Sequence, residues 1–217
     1  MSWQIKNIVF DMDGVIADTT ACHTRAYAEL WKHLNFDGPP YSQIAGRSTK
    51  EVLLEWTRQL DPSDQQLSEW VRQKQSAARN YLNVDPIAYD DSASVIAWLA
   101  KHFRMAVATS ASRDSAHLIL QRCGVSTFFD MVVTAEDAKH CKPNPELYLI
   151  AMQRCGFQPC DTLIIEDSNS GIDAGLASGA WVVSVRSGLT RNNPRFRFAY
   201  NNLDELKVQL STSEWLD

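Results

Sequence analysis

The sequence predicts an α/β protein, a Rossmann-like parallel sheet core with an inserted α-helical cap domain. Three observations carry that expectation: short β-branched runs recur along the 217 residues, helix-like segments separate the later runs, and one long interval holds helical patterns alone. Strand and helix alternating at this spacing require right-handed crossovers, and so a parallel sheet.

The first run, "IKNIVF" at 5–10, has the near-continuous apolar character of a strand buried on both faces. From about Asp18 to Asn83 no strand pattern follows. Instead "TRAYAELWKHL", "TKEVLLEWTRQL" and "LSEWVRQKQSAARNYL" repeat apolar residues at helical spacing, which predicts an all-helical insertion. The expected division is a catalytic core of 1–17 and 83–217 with a cap of 18–82. Four further runs then read as strands: "RMAVATS" at 104–110, "FDMVVTA" at 129–135, "TLIIED" at 162–167 and "WVVSV" at 181–185. Between them lie helical segments beginning at Ser112, Asn144 and Ser168. Ser112 and Asn144 suit N-caps, Pro145 suits a first turn, and Gly124 and Gly156 suit helix ends.

Composition narrows the function. The chain is 45% hydrophobic and 22% charged with a formal net charge of -5, which argues against a nucleic-acid or anionic-membrane surface, since phosphate backbones are held by clustered Lys and Arg. No apolar run approaches the ~20 residues of a membrane span, and "MSWQIKN" lacks the profile of a secretory signal, so a cytoplasmic location is expected. The five cysteines form no CxxC pair and read as reduced structural thiols.

The stretch "IVFDMDGVIADT", Ile8 to Thr19, crowds Asp11, Asp13 and Asp18 just past the first strand. Asp11 and Asp13, two apart, share a face at the carboxyl end of that strand, where open α/β sheets bind ligands. "DMDG" also reads as a simple turn in which Asp and Gly serve the backbone. The other strand ends weigh against a turn alone. "AVATSAS" delivers Thr109, Ser110 and Ser112, the segment after "FDMVV" leads to Lys142 in "CKPNP", and "LIIED" delivers Glu166 and Asp167. Together these types suit phosphoryl transfer. A carboxylate and a phosphate dianion repel unless a divalent cation intervenes, and oxygen-only ligands point to Mg2+ held by Asp11 and Asp167. Asp11 is then the expected nucleophile, forming an aspartyl-phosphate, with Asp13 as acid and base and its carbonyl as a further metal ligand. Ser110, the amide of Ala111 and Lys142 are expected to hold the transferring oxygens.

"FDMDGVIADT", "TSAS", "KPNPELY" and "IIEDSNSGIDAGLASGA" resemble, in order, the four motifs of the haloacid dehalogenase superfamily, in its β-phosphoglucomutase-like and sugar-phosphate phosphatase branch with a helical cap. The resemblance runs from about Ile5 to Val185. It implies that the last two strands lie on the opposite side of the first from the second and third, and that Glu166 is an additional or water-mediated metal ligand. By the same resemblance Thr19, His23, Arg47 and Lys74 correspond to substrate or cap residues of the mutases. In this chain the mutases' "G-x-S-R" stretch reads "GRST", Gly46 to Thr49.

A mutase must exclude water from the phosphoenzyme and bind a second phosphate in its cap, and the sequence offers no secure site for one. The expectation is therefore a Mg2+-dependent phosphatase of a small phosphorylated metabolite, a sugar phosphate or relative, acting as a monomer; a β-phosphoglucomutase-type enzyme is the alternative. A receiver-like or non-catalytic phosphate-binding module fits less well, because no Asp ends the third run and a receiver has no room for the insertion. His23 reads equally as a packed residue on a face with Tyr27 and Leu30, and Arg47 and Lys74 as solvated cations. Trp31, Trp56, Trp70 and Trp98 read as helix packing, Asp18 as a helix cap, and Arg186 to Arg197 as a solvated loop.

Overall fold

The computed structural model describes residues 5–212. Six strands form one parallel sheet: β1 (Asn7–Phe10), β2 (Arg104–Ala108), β3 (Met131–Val133), β4 (Thr162–Glu166), β5 (Trp181–Val185) and β6 (Phe196–Tyr200), in the order β3-β2-β1-β4-β5-β6. The chain winds one way from β1 through β2 to β3, then returns to the other side of β1. That reversal opens a crevice at the carboxyl ends of β1 and β4, where such sheets place their ligands.

Side-chain alternation along the strands divides the core in two. Ile8, Phe10, Met105, Val107, Leu163 and Ile165 face one side. They pack there against α4 (Ser92–Leu99), α5 (Arg113–Arg122) and α8 (Leu203–Leu210). Val9, Ala106, Ala108 and Ile164 face the other, under α6 (Glu146–Cys155) and α7 (Asn169–Ala177). Both faces are covered, which is why the strands carry unbroken apolar runs.

Three helices, α1 (Thr20–His33), α2 (Thr49–Trp56) and α3 (Asp64–Val84), stand between β1 and β2 as the inserted cap. They bury a core of their own around Tyr27, Leu30, Trp31, Ile44, Val52, Leu53 and Leu67, with Trp56 and Trp70 packed against it. The chain leaves and re-enters through two adjacent linkers: Asp18 N–H donates to the Ile87 carbonyl at 2.8 Å, and Ala17 pairs with Ala88. On the core side Arg122 binds the Leu82 and Asp85 carbonyls, capping the last turn of α3. No helix among the described residues is long and apolar enough to cross a membrane.

Three local expectations need correction. Residues 186–197 are not solvated loop throughout, because the chain from Phe196 adds β6 to the sheet edge; Arg186 pairs with Asp91 at 2.5 Å and Arg191 with Asp173 at 2.7 Å. Pro145, rather than Asn144, is the N-cap residue of α6, although the Asn144 carboxamide oxygen still accepts the Glu146 N–H at 3.0 Å. Asp18 does not cap α1, whose N-cap is Thr19; its carboxylate only meets the Thr20 N–H at 3.4 Å.

Candidate active site

β1 delivers Asp11 to the crevice, its N–H paired with the Ile165 carbonyl at 2.9 Å. The chain then folds tightly, with Ile16 N–H on the Met12 carbonyl at 2.8 Å and Gly14 at φ +82°. A Cβ on Gly14 would overlap the Asp167 carboxylate. "DMDG" is thus both a turn and a carboxylate display, the glycine letting the backbone lie against the acidic group from β4.

Lys142, completely buried, donates to Asp11 Oδ1 and, at 2.7 Å, to Glu166 Oε1. Glu166 is equally buried. Its Oε1 also accepts from Tyr148 Oη at 2.5 Å, and its Oε2 accepts the N–H groups of Asp167 and Ser168 at 3.0 and 3.1 Å and the Ser168 hydroxyl at 3.1 Å. A Cβ on Gly171 would collide with this carboxylate, so α7 begins close against it.

Oxygens of Asp11, Glu166 and Asp167 lie within 4.8 Å of one another. Burial pushes the Asp11 carboxyl up to about 8, with Glu166 and Asp13 adding to the effect and Lys142 opposing it. Asp167 is likewise held well above the usual carboxylate range, by burial first and then by Glu166 and Asp11. Burial alone would lower Lys142, but the two carboxylates outweigh it and keep the ammonium charged. One ammonium among these carboxylates leaves the cluster short of positive charge, and its donors are all hard oxygens. Both features fit a divalent cation of the magnesium type.

Asp13 faces a second set of partners. The Thr19 hydroxyl donates to Oδ1 at 2.5 Å, and His23 Nε2 approaches the same oxygen at 3.2 Å. His23 Nδ1 meets Lys74 Nζ at 2.9 Å. An ammonium only donates, so Nδ1 carries the lone pair and the imidazole proton sits on Nε2, facing Asp13. Burial and the neighbouring Lys74 lower the His23 pKa, which keeps the ring neutral. Burial would raise Asp13, but the His23 and Thr19 bonds hold it below its ordinary value. Lys74 is lowered to about 8 by burial, with Asp13 opposing. Its ammonium also lies over the Tyr27 ring, and Tyr41 stacks on His23.

β2 presents the remaining groups. The Ala111 N–H, expected to meet phosphate, donates here to Thr109 Oγ1 at 3.0 Å. The Ser110 hydroxyl is buried with no hydrogen-bond partner among the described residues. Arg47 pairs with Glu55 at 2.6 Å. Asp13, His23, Tyr41, Arg47, Lys74 and Ser110 enclose a cavity of about 40 Å3.

Every candidate site residue expected from the sequence therefore lies at or beside one cleft between sheet and cap. Tyr148 and Tyr41 had no signal of their own, since each reads as an ordinary packed aromatic.

Comparison with known proteins adds relatives to this geometry. A family profile described as haloacid dehalogenase-like hydrolase matches residues 8–185. The fructose-1-phosphate phosphatase YqaB of Escherichia coli (strain K12) is 33% identical over 183 residues, 82% of this chain and 95% of that protein. A phosphorylated carbohydrates phosphatase of Thermotoga maritima is 28% identical, covering 81% of this chain and 82% of its own. In three dimensions the crystal structure of β-phosphoglucomutase (pgmB) from Clostridium difficile superposes with a TM-score of 0.83 at 22% identity, over 97% of each chain.

Proposed function

The chain belongs to the haloacid dehalogenase-like hydrolases and is a phosphatase of that family, and from this premise we propose that it is Mg2+-dependent and hydrolyses small sugar phosphates through an aspartyl-phosphate. The observation that carries the reading is the buried cluster of Asp11, Glu166 and Asp167 around a single ammonium. Asp11 and Asp167 would hold the ion, with the Asp13 carbonyl as a further oxygen and Glu166 behind them. When bound, Mg2+ supplies the positive charge that lets a carboxylate approach a phosphate dianion.

Lys142 fixes Asp11 by one oxygen and stabilises charge on the transferring group. An oxygen of Asp11 attacks phosphorus, the ester P–O bond breaks, and Asp13, which must first take up a proton against the pull of His23 and Thr19, gives it to the leaving alkoxide. Asp13, now ionised and held by Thr19 and His23, takes a proton from water. The water oxygen attacks phosphorus, the bond to Asp11 breaks and phosphate leaves. The Ser110 hydroxyl, buried without a partner, is a donor in waiting for a phosphoryl oxygen; the Ala111 N–H joins it when Thr109 releases it.

Residues 1–17 and 83–217 serve as the catalytic core and 18–82 as the cap, although α3 itself continues to Val84. In the cap Arg47 is ion-paired with Glu55 and so is not a free cation for a second phosphate, which favours hydrolysis over mutase chemistry, while Lys74 bonds the neutral His23 and keeps its charge at the cleft. Sugar-phosphate phosphatases among the relatives support the substrate class.

Phosphate release measured over sugar monophosphates, nucleotides and phosphoglycolate with Mg2+ tests the reading. Turnover of sugar phosphates is expected. Conversion of β-glucose 1-phosphate to glucose 6-phosphate without free phosphate would replace it with the mutase.

A further inference from the structure

The reacting groups lie under the cap in a cavity of about 40 Å3, room for roughly three waters. The cap leans over the reacting groups on one side of this cleft, so its separation from the core governs access and something must hold it in place. Beyond the linkers and the contacts at the catalytic carboxylates, the segment from Ala45 to Glu51 provides the reach across. The Ser170 hydroxyl donates to the Ala45 carbonyl at 3.3 Å, and Gly46 sits against the Ser168 and Ser170 side chains with no room for a Cβ.

The stronger tie is Glu51. It occupies the third position of α2, where an acidic side chain commonly folds back on the N-cap residue. Here the box is only half made: the Ser48 hydroxyl accepts the Glu51 N–H at 3.3 Å and donates to Glu51 Oε2 at 2.9 Å. Oε1 turns outward and accepts the Cys141 N–H of the core at 3.0 Å, across 90 positions of sequence. Cys141 immediately precedes Lys142, the residue that clamps Asp11. Ser48 therefore aims a cap carboxylate at the amide next to the phosphate clamp.

We propose that Glu51 is the closing latch of the cap, a positioning residue that ties α2 to the Cys141 amide and so couples closure to the seating of Lys142. A single charge-assisted bond is strong enough to bias closure and weak enough to break every turnover. Opening exposes its donor to water, so neither state strands a buried polar group.

The Cys141 thiol reports the state of the latch. It is 6% exposed, on the floor of a cleft between cap and core lined by Glu51, Leu54, Val71, Gln75 and Lys139. Cys160 is the exposed cysteine and is removed first as Cys160→Ser. In that background, maleimide labelling of Cys141 read by peptide mass spectrometry, without substrate, is expected to quicken about 10-fold in Glu51→Ala and to return most of the way in Glu51→Gln, which keeps the acceptor. Cys123 and Cys155, buried in the core, should stay protected. Wild-type labelling in Glu51→Ala, an equal rise in Glu51→Gln, or a parallel rise at Cys123 and Cys155 would each overturn the latch. Because labelling is read without turnover, its outcome stands apart from the assignment of the reaction.

Discussion

Asp11 is 3% exposed and sits among three other carboxylates, so its removal as a charge should cost function and not fold. Asp11→Asn is expected to abolish phosphate release while leaving the thermal midpoint equal to or above that of the parent; retained hydrolysis would remove it as nucleophile. The same burial makes a cation visible in stability. A group whose folded pKa is raised, here from 3.8 to about 8, contributes stability that is complete at low pH and lost as pH rises through the folded value. With EDTA the melting temperature should therefore fall from pH 5 to pH 8, and saturating Mg2+ should flatten that slope. Lys74, lowered to about 8, should give kcat/KM an alkaline limb near that pH, because a neutral amine can accept as well as donate and so no longer holds His23 to one tautomer. Lys74→Met should abolish the limb and lower the rate by about 100-fold. Asp11, Asp13, Lys142 and Asp167 were legible in sequence because each follows a strand run and strands point their ends one way. His23 and Lys74 were legible only through a family likeness: they are 51 positions apart, and no periodicity predicts that two helices will bring an imidazole and an ammonium to 2.9 Å.

Among the elements, α3 shows how little of the cap rests on propensity. It is long and polar, and it starts at a full capping box in which Ser63 Oγ accepts the Gln66 N–H and Gln66 Oε1 accepts the Ser63 N–H. Ser63→Ala should lower stability by about 1 kcal/mol, measured by chemical denaturation, with kcat unchanged. Five strands announced themselves by unbroken apolar runs because both of their faces are covered. β6 did not: it is an edge strand with Phe198 exposed and Arg197 within it, so it lacks the double burial that makes a parallel strand readable. α8 was missed although it is no shorter than α2, each having 8 residues, because it follows the unread β6 and so no strand–helix alternation announced it.

Over the whole molecule, the C-terminal helix belongs to the main core and is no appendage. Leu203, Leu206 and Leu210 are all buried in the cluster that packs on β1 and β4. Ending the chain at Asn202 removes all three, roughly 1.5–3 kcal/mol each, against a total of about 5–15 kcal/mol for a typical domain. Such a truncation should be insoluble or lack a cooperative melting transition. The cap is attached on different terms. Its two linkers run side by side, paired between Ala17 and Ala88, and neither end of the insertion interrupts a strand. A bundle spliced in at that doorway leaves strand register, crossover handedness and the acidic cluster untouched. A different bundle could therefore be fitted at that doorway, like a tool head on a common handle, leaving the carboxylates beneath in place while replacing the partners that Asp13 draws from the cap.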